Sequence, residues 1–163
     1  MRACADGGYP WARLLRDANG NLFGVTLLGG TADSGVVFER SPSGAYSVLY
    51  NFCSQANCAD GNNNGSGSGL VMDSAGNIFG STGWGGATNS GVVFELKNKG
   101  QGIWEESLVY SFCSPPNCAD GSWPISLTKD NSGNLFGLTH LNGAHGDGNN
   151  GGTVFELTPS APR

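Results

Sequence analysis

Apolar residues along this chain fall in short runs rich in aromatic and β-branched side chains, with glycine, asparagine or aspartate between the runs. Such a pattern predicts short strands joined by tight turns. The runs also recur in a fixed order. Asp17-Ala18-Asn19-Gly20-Asn21-Leu22-Phe23-Gly24 returns as Asp73-Ser74-Ala75-Gly76-Asn77-Ile78-Phe79-Gly80 and as Asp130-Asn131-Ser132-Gly133-Asn134-Leu135-Phe136-Gly137, at spacings of 56 and 57 residues. Each is followed by a threonine (Thr26, Thr82, Thr139), a glycine-rich loop, and a run centred on Val37-Phe38, Val93-Phe94 or Val154-Phe155. Two copies are preceded by a further run, Val48-Leu49-Tyr50-Asn51-Phe52-Cys53 or Leu108-Val109-Tyr110-Ser111-Phe112-Cys113, whereas the first copy enters at Cys4-Ala5-Asp6-Gly7.

A fixed period of this length marks a repeat architecture. Residues 1–163 read as a single repeat domain with units of approximately 1–45, 46–105 and 106–163, each complete unit holding four strands, for eleven in all. Within a unit, Asp-x-x-Gly-Asn predicts a hairpin, because the aspartate can accept turn N–H groups and the glycine tolerates positive φ. Alternation places Phe23, Phe79 and Phe136, with Phe38, Phe94 and Phe155, in the interior. The expected fold class is all-β, with three four-stranded repeats forming β-propeller-like blades of which the first is incomplete. A β-trefoil-like arrangement is the alternative, since three lobes are what a trefoil needs.

The ordered motifs Leu108-Val109-Tyr110-Ser111-Phe112, Asp120-Gly121, Asp130 to Thr139 and Gly152-Thr153-Val154-Phe155-Glu156-Leu157 resemble the GloVer repeat, a family of bacterial surface or secreted proteins carrying tandem copies. The resemblance covers nearly the whole chain. It implies export and a propeller-like array, and it implies no activity. Family members often carry an anchoring segment after the repeats and more copies, and by that expectation these residues depart from the pattern in both respects.

Composition narrows the partners. The net charge of −5 comes from 13 acidic and 8 basic residues scattered without runs, which leaves no electrostatic footprint for nucleic acid or an anionic membrane. No apolar stretch is long enough to span a bilayer, and Met1-Arg2-Ala3-Cys4-Ala5-Asp6-Gly7 has no hydrophobic signal core, so the expectation is a soluble chain without an export signal in these residues.

Cys53 and Cys58, and Cys113 and Cys118, recur at matching places in successive units, which suits local disulfides in an oxidising compartment. The competing reading is a metal site, although zinc usually takes closer cysteine pairs and four ligands. Cys4 is left without a local partner. With the resemblance, this points to an extracellular or cell-surface location.

Repeat logic separates scaffold from candidate chemistry: what recurs in every unit is structural by default, and what breaks the pattern is a candidate. His140, His145 and Asp147 lie in the enlarged third loop and could form an acid–base or metal cluster. Trp11, Trp84, Trp104 and Trp123 fall mostly outside the recurrent motifs, and Trp84, Trp123 and Trp11 are the candidate ligand-binding residues, because exposed tryptophans can stack on sugar faces. The register-matched acids Asp6, Asp60 and Asp120, and Glu39, Glu95 and Glu156, suggest turn caps, with an axial calcium-binding ring as the alternative.

Two functions follow. One is a secreted binding or structural module for glycans or partner proteins, without a cofactor or a recognisable catalytic triad. The other is a hydrolase, metal-dependent through calcium, using the axial acids or the His140, His145 and Asp147 loop. Self-association as a homodimer is also expected, because the first unit lacks its opening strand and two three-blade arrays could share one ring.

Overall fold

The computed structural model describes residues 4–114, 116–144 and 151–158, with the backbone alone at 64–67 and 116. Twelve strands occur among them: β1 (Gly8–Arg16), β2 (Leu22–Leu28), β3 (Val36–Arg40), β4 (Tyr46–Asn51), β5 (Asn62–Gly67), β6 (Val71–Met72), β7 (Ile78–Trp84), β8 (Val92–Asn98), β9 (Trp104–Ser111), β10 (Ser122–Lys129), β11 (Leu135–Leu141) and β12 (Val154–Leu157). They form three antiparallel sheets, ordered β1-β2-β3-β4, then β5-β7-β8-β9 with β6 also on β7, then β10-β11-β12. The only helical segments described are single 3-10 turns at Ala56–Cys58 and Pro116–Cys118. The sheets are separate blades, and no strand ladder joins them into the closed barrel of a trefoil.

Strand count and sheet boundaries differ from the sequence expectation in two ways. The inner strand of the second sheet is split into β5 and β6, because the Ser68 hydroxyl accepts the Ser81 N–H at 3.0 Å. More consequentially, the Val48 to Phe52 run opens a sequence unit but closes the preceding sheet. Residues 41–45 form a short hairpin in which Ser41 N–H bonds Ala45 O at 2.9 Å, so β4 pairs with β3 rather than starting a new sheet. The first blade therefore has all four strands, and the three-stranded sheet is the third, whose described strands end at β12.

The hairpin motif acts as expected. Asp17 Oδ1 accepts Asn21 N–H at 2.8 Å and Oδ2 accepts Asn21 Nδ2 at 2.8 Å, and Asp73 with Asn77 and Asp130 with Asn134 repeat the pair. The glycine of Phe-Gly in the same motif has a packing reason. A Cβ at Gly80 would lie 2.5 Å from Phe94 Cζ and 2.9 Å from Leu70 Cδ2.

Sheets pack face on face. Between the first and second, Phe23, Val25 and Val37 meet Leu70, Ile78, Phe94 and Leu96, with Phe52 edge-on to Phe94 at 5.1 Å. Between the second and third, Phe79 and Val93 meet Leu135, Leu127 and Phe155, with Phe112 edge-on to Phe155 at 5.0 Å. Each junction also carries the same backbone bond, Asn63 N–H to Ser34 O at 3.0 Å and Trp123 N–H to Ser90 O at 2.9 Å. Phe38, Phe136 and Phe155 are only half-buried, since Phe38 and Phe136 lie on outer faces that no described sheet covers.

Candidate functional site

Disulfides Cys53–Cys58 and Cys113–Cys118 close the two loops that lead from one sheet to the next, and Cys4 is a free, exposed thiol. The bridges remove these cysteines from any metal reading. Inside the first loop, buried Asp60 accepts from Tyr50 Oη at 2.7 Å, Ser54 N–H at 2.8 Å, Ser54 Oγ at 2.8 Å and Gln55 N–H at 3.2 Å. Asp120 accepts from Tyr110 Oη at 2.9 Å in the second loop. The Asp60 carboxylate is thus spent on a loop cap, whereas Asp120 caps its loop through Oδ2 while its buried Oδ1 has no hydrogen-bond partner among the described residues. Among the described residues, no group of three or more His, Cys, Asp or Glu is placed to hold a metal ion, so the axial acids do not assemble a calcium site there.

The same loop perturbs a neighbour. Glu106 on β9 accepts Gln55 Nε2 at 3.2 Å, and burial, with the Asp60 charge adding to it, pushes its carboxyl up to about 7. A raised carboxylate pKa means that ionisation is disfavoured in the folded state, so this contribution to stability is complete below the ordinary carboxylate value and is lost as pH rises through about 7. Glu106→Gln should therefore stabilise the protein near pH 8 and leave it unchanged near pH 4. Because the group is half solvated, the gain is about 1 kcal/mol, roughly 2–4 °C in Tm by differential scanning calorimetry. An equal gain at both pH values would contradict the assignment.

Three pattern-breaking side chains come together at the junction of the second and third sheets. Trp84 ends β7, Trp123 opens β10 and His140 lies on β11; the Trp84 and Trp123 ring centroids are 5.2 Å apart, and those of Trp123 and His140 5.6 Å. Thr82 Oγ1 donates to Trp84 O at 2.7 Å, which holds the end of β7. Trp123 has φ of 59°, a left-handed conformation costly for a bulky residue, and its N–H bond to Ser90 O holds it there. Asn142 Nδ2 donates to Ser122 Oγ at 2.6 Å, tying the start of the third loop to the strand that carries Trp123. Trp84 is 37% exposed and His140 is exposed, so the cluster forms a surface shelf. At the first junction the residue matching Trp123 is Asn63, buried and donating to Thr26 O at 2.9 Å, so the shelf belongs to one junction only.

Of the other candidates, Trp11 sits apart, lining a cleft of about 570 Å³ between the inner strands with Arg13, Leu70 and Ile125. His145 and Asp147 lie outside the described residues, and His140 alone of the proposed catalytic set is placed. Trp104 is grouped with the pattern-breaking tryptophans but stands outside the candidate ligand-binding set. The β8–β9 ladder runs two pairs beyond the β3–β4 ladder, Lys97 with Glu105 and Asn98 with Trp104, and this extension brings Trp104 edge-on to Phe23 at 6.2 Å. There it walls a cleft of about 800 Å³ with Asp17, Glu39 and Gln101. Burial, reinforced by the Asp17 charge, raises the Glu39 pKa. The signal was available in the longer hairpin between the two matched runs.

The model of the Gloeobacter/Verrucomicrobia repeat matches residues 2–162. The chain belongs to this repeat family. That is the GloVer resemblance read from the motifs, now covering nearly every residue. No curated protein matches the chain. Among solved structures, it is similar to one provisionally described as a gluconolactonase, with a TM-score of 0.51 and 17% identity, covering 90% of this chain and 47% of that one. The chain thus spans about half the length of that structure. At this identity the likeness speaks to the propeller-type fold alone.

Proposed function

We infer that this repeat domain is an exported glycan-binding module, acting at the cell surface or outside the cell. The carrying observation is the exposed shelf of Trp84, Trp123 and His140, because flat aromatic faces beside hydrogen-bonding groups suit the apolar faces and hydroxyl rims of sugars. Two disulfides support an oxidising compartment. The described residues contain no helix long and apolar enough to cross a membrane. The hydrolase alternative rests on His140, His145 and Asp147, of which only His140 is placed, and its ring packs edge-on to Trp123.

The test is a panel of soluble polysaccharides and oligosaccharides titrated by calorimetry and by quenching of tryptophan fluorescence. A ligand found this way should bind at least about 10-fold more weakly to Trp84→Ala, since base or ring stacking on one aromatic is worth roughly 1–3 kcal/mol. Trp11→Ala should bind as the parent does. Equal affinity of Trp84→Ala and the parent would remove the shelf from the binding site.

A further inference from the structure

The two end faces of the three-sheet stack are the two halves of its own internal junction. Every internal junction joins the same pair of surfaces. The face carrying Phe23, Val25 and Val37, or Phe79 and Val93, meets the opposite face of the next sheet, carrying Leu70, Phe94 and Leu96, or Leu127, Phe155 and Leu157. Strand alternation assigns Leu14, Phe38 and Arg40 of the first sheet to the second kind of face, and Phe136, Leu138 and Val154 of the third sheet to the first kind. Neither is covered. Leu14 is 55% exposed where Leu70 is 7%, and Val154 is 79% exposed where Val93 is fully buried. Exposed apolar sheet faces of this kind mark interaction surfaces.

Charge fits the same pairing. At the first junction Glu39 and Met72 line one cleft. The residues in matching register are Glu156, on the third sheet, and Arg16, on the first, both exposed, with Arg16 also reaching the rim of that first-junction cleft. Joining those faces would set an arginine against a carboxylate, at the position held by Met72 at the first internal junction and by Lys129 at the second.

We propose that two copies of this chain associate head to tail, the first sheet of each stacking on the third sheet of the other, to make a two-fold ring of six sheets. A contact between unlike faces propagates unless rotation closes it, and six sheets lie within the four to eight blades of propeller rings.

Light scattering after size exclusion tests this on the 163-residue chain at micromolar concentration. The expected species has twice the monomer mass. Leu14→Glu and Val154→Glu should each give a folded monomer, with dimer association weakened about 100-fold or more because both contacts are altered. An equimolar mixture of the two variants should regain dimer in part, since one of its two contacts then pairs unaltered faces. Should either substitution disturb folding, charge reversal replaces it: Arg16→Glu and Glu156→Arg should each weaken the dimer, and the chain carrying both should restore it. A parent chain that stays monomeric, assemblies larger than two copies, or a dimer sensitive to only one face would overturn the proposal.

Discussion

Phe94→Ala is expected to cost about 3–5 kcal/mol of unfolding free energy, while Phe38→Ala, the same substitution at the matching position of the first sheet, should cost less than half as much. The two phenylalanines share a motif, a strand position and a glycine beneath the ring. They differ in what covers them. Phe94 is fully buried, with Phe52 against its ring and Phe23, Val25 and Val37 of the first sheet across the junction. Phe38 has Tyr46 stacked on it at 5.3 Å and no described sheet beyond, so truncation leaves a dent open to water rather than a cavity. Urea denaturation in the Val154→Glu background keeps the chain monomeric, so that Phe38 is compared without a partner. Equal costs at the two positions would show that the sheet junctions do not carry the core.

Gly80→Ala is the second large effect, with an expected cost of about 1–3 kcal/mol or more from overpacking. The added methyl would sit 2.5 Å from Phe94 Cζ and 2.9 Å from Leu70 Cδ2, in a layer where Ile78, Phe94 and Leu96 are fully buried and nothing can give way cheaply. Phe94→Leu shortens the offending side chain. In a double-mutant cycle, Gly80→Ala should therefore be much less costly in the Phe94→Leu background, giving a coupling of about 1 kcal/mol or more. Additive costs would mean that the glycine serves the backbone and not the ring above it.

These two positions also show where reading the chain succeeds. Gly80 and Phe94 stand out as recurrent residues, and their contact on neighbouring strands follows from the antiparallel register of β7 and β8, Gly80 opposite Phe94. The hairpin aspartates were equally legible, because an Asx turn closes over four residues and needs nothing distant. The disulfides were legible for the same reason, with both partners in one short loop.

Local order did not reveal which neighbour a strand would choose. The Tyr46–Asn51 strand begins a unit in sequence and ends a sheet in space, because a short hairpin to β3 is an easier closure than a crossing to the next blade. That one choice gives the first sheet all four strands and leaves three described strands in the third.

By itself the sequence determined the all-β class, the three-fold repetition, the hairpin turns, both disulfides and the family, all of which depend on side chains a few residues apart or on the period of the pattern. The stacking of sheets decided the rest. It sent Asp60 and Asp120 into loop caps, turned one arm of β9 over Phe23 through Trp104, and set Trp84 beside Trp123 and His140 from different sheets. Equal motifs became unequal environments, because a residue is buried by what the neighbouring blade presents to it, and among the described residues the first and third blades each pack against one other blade.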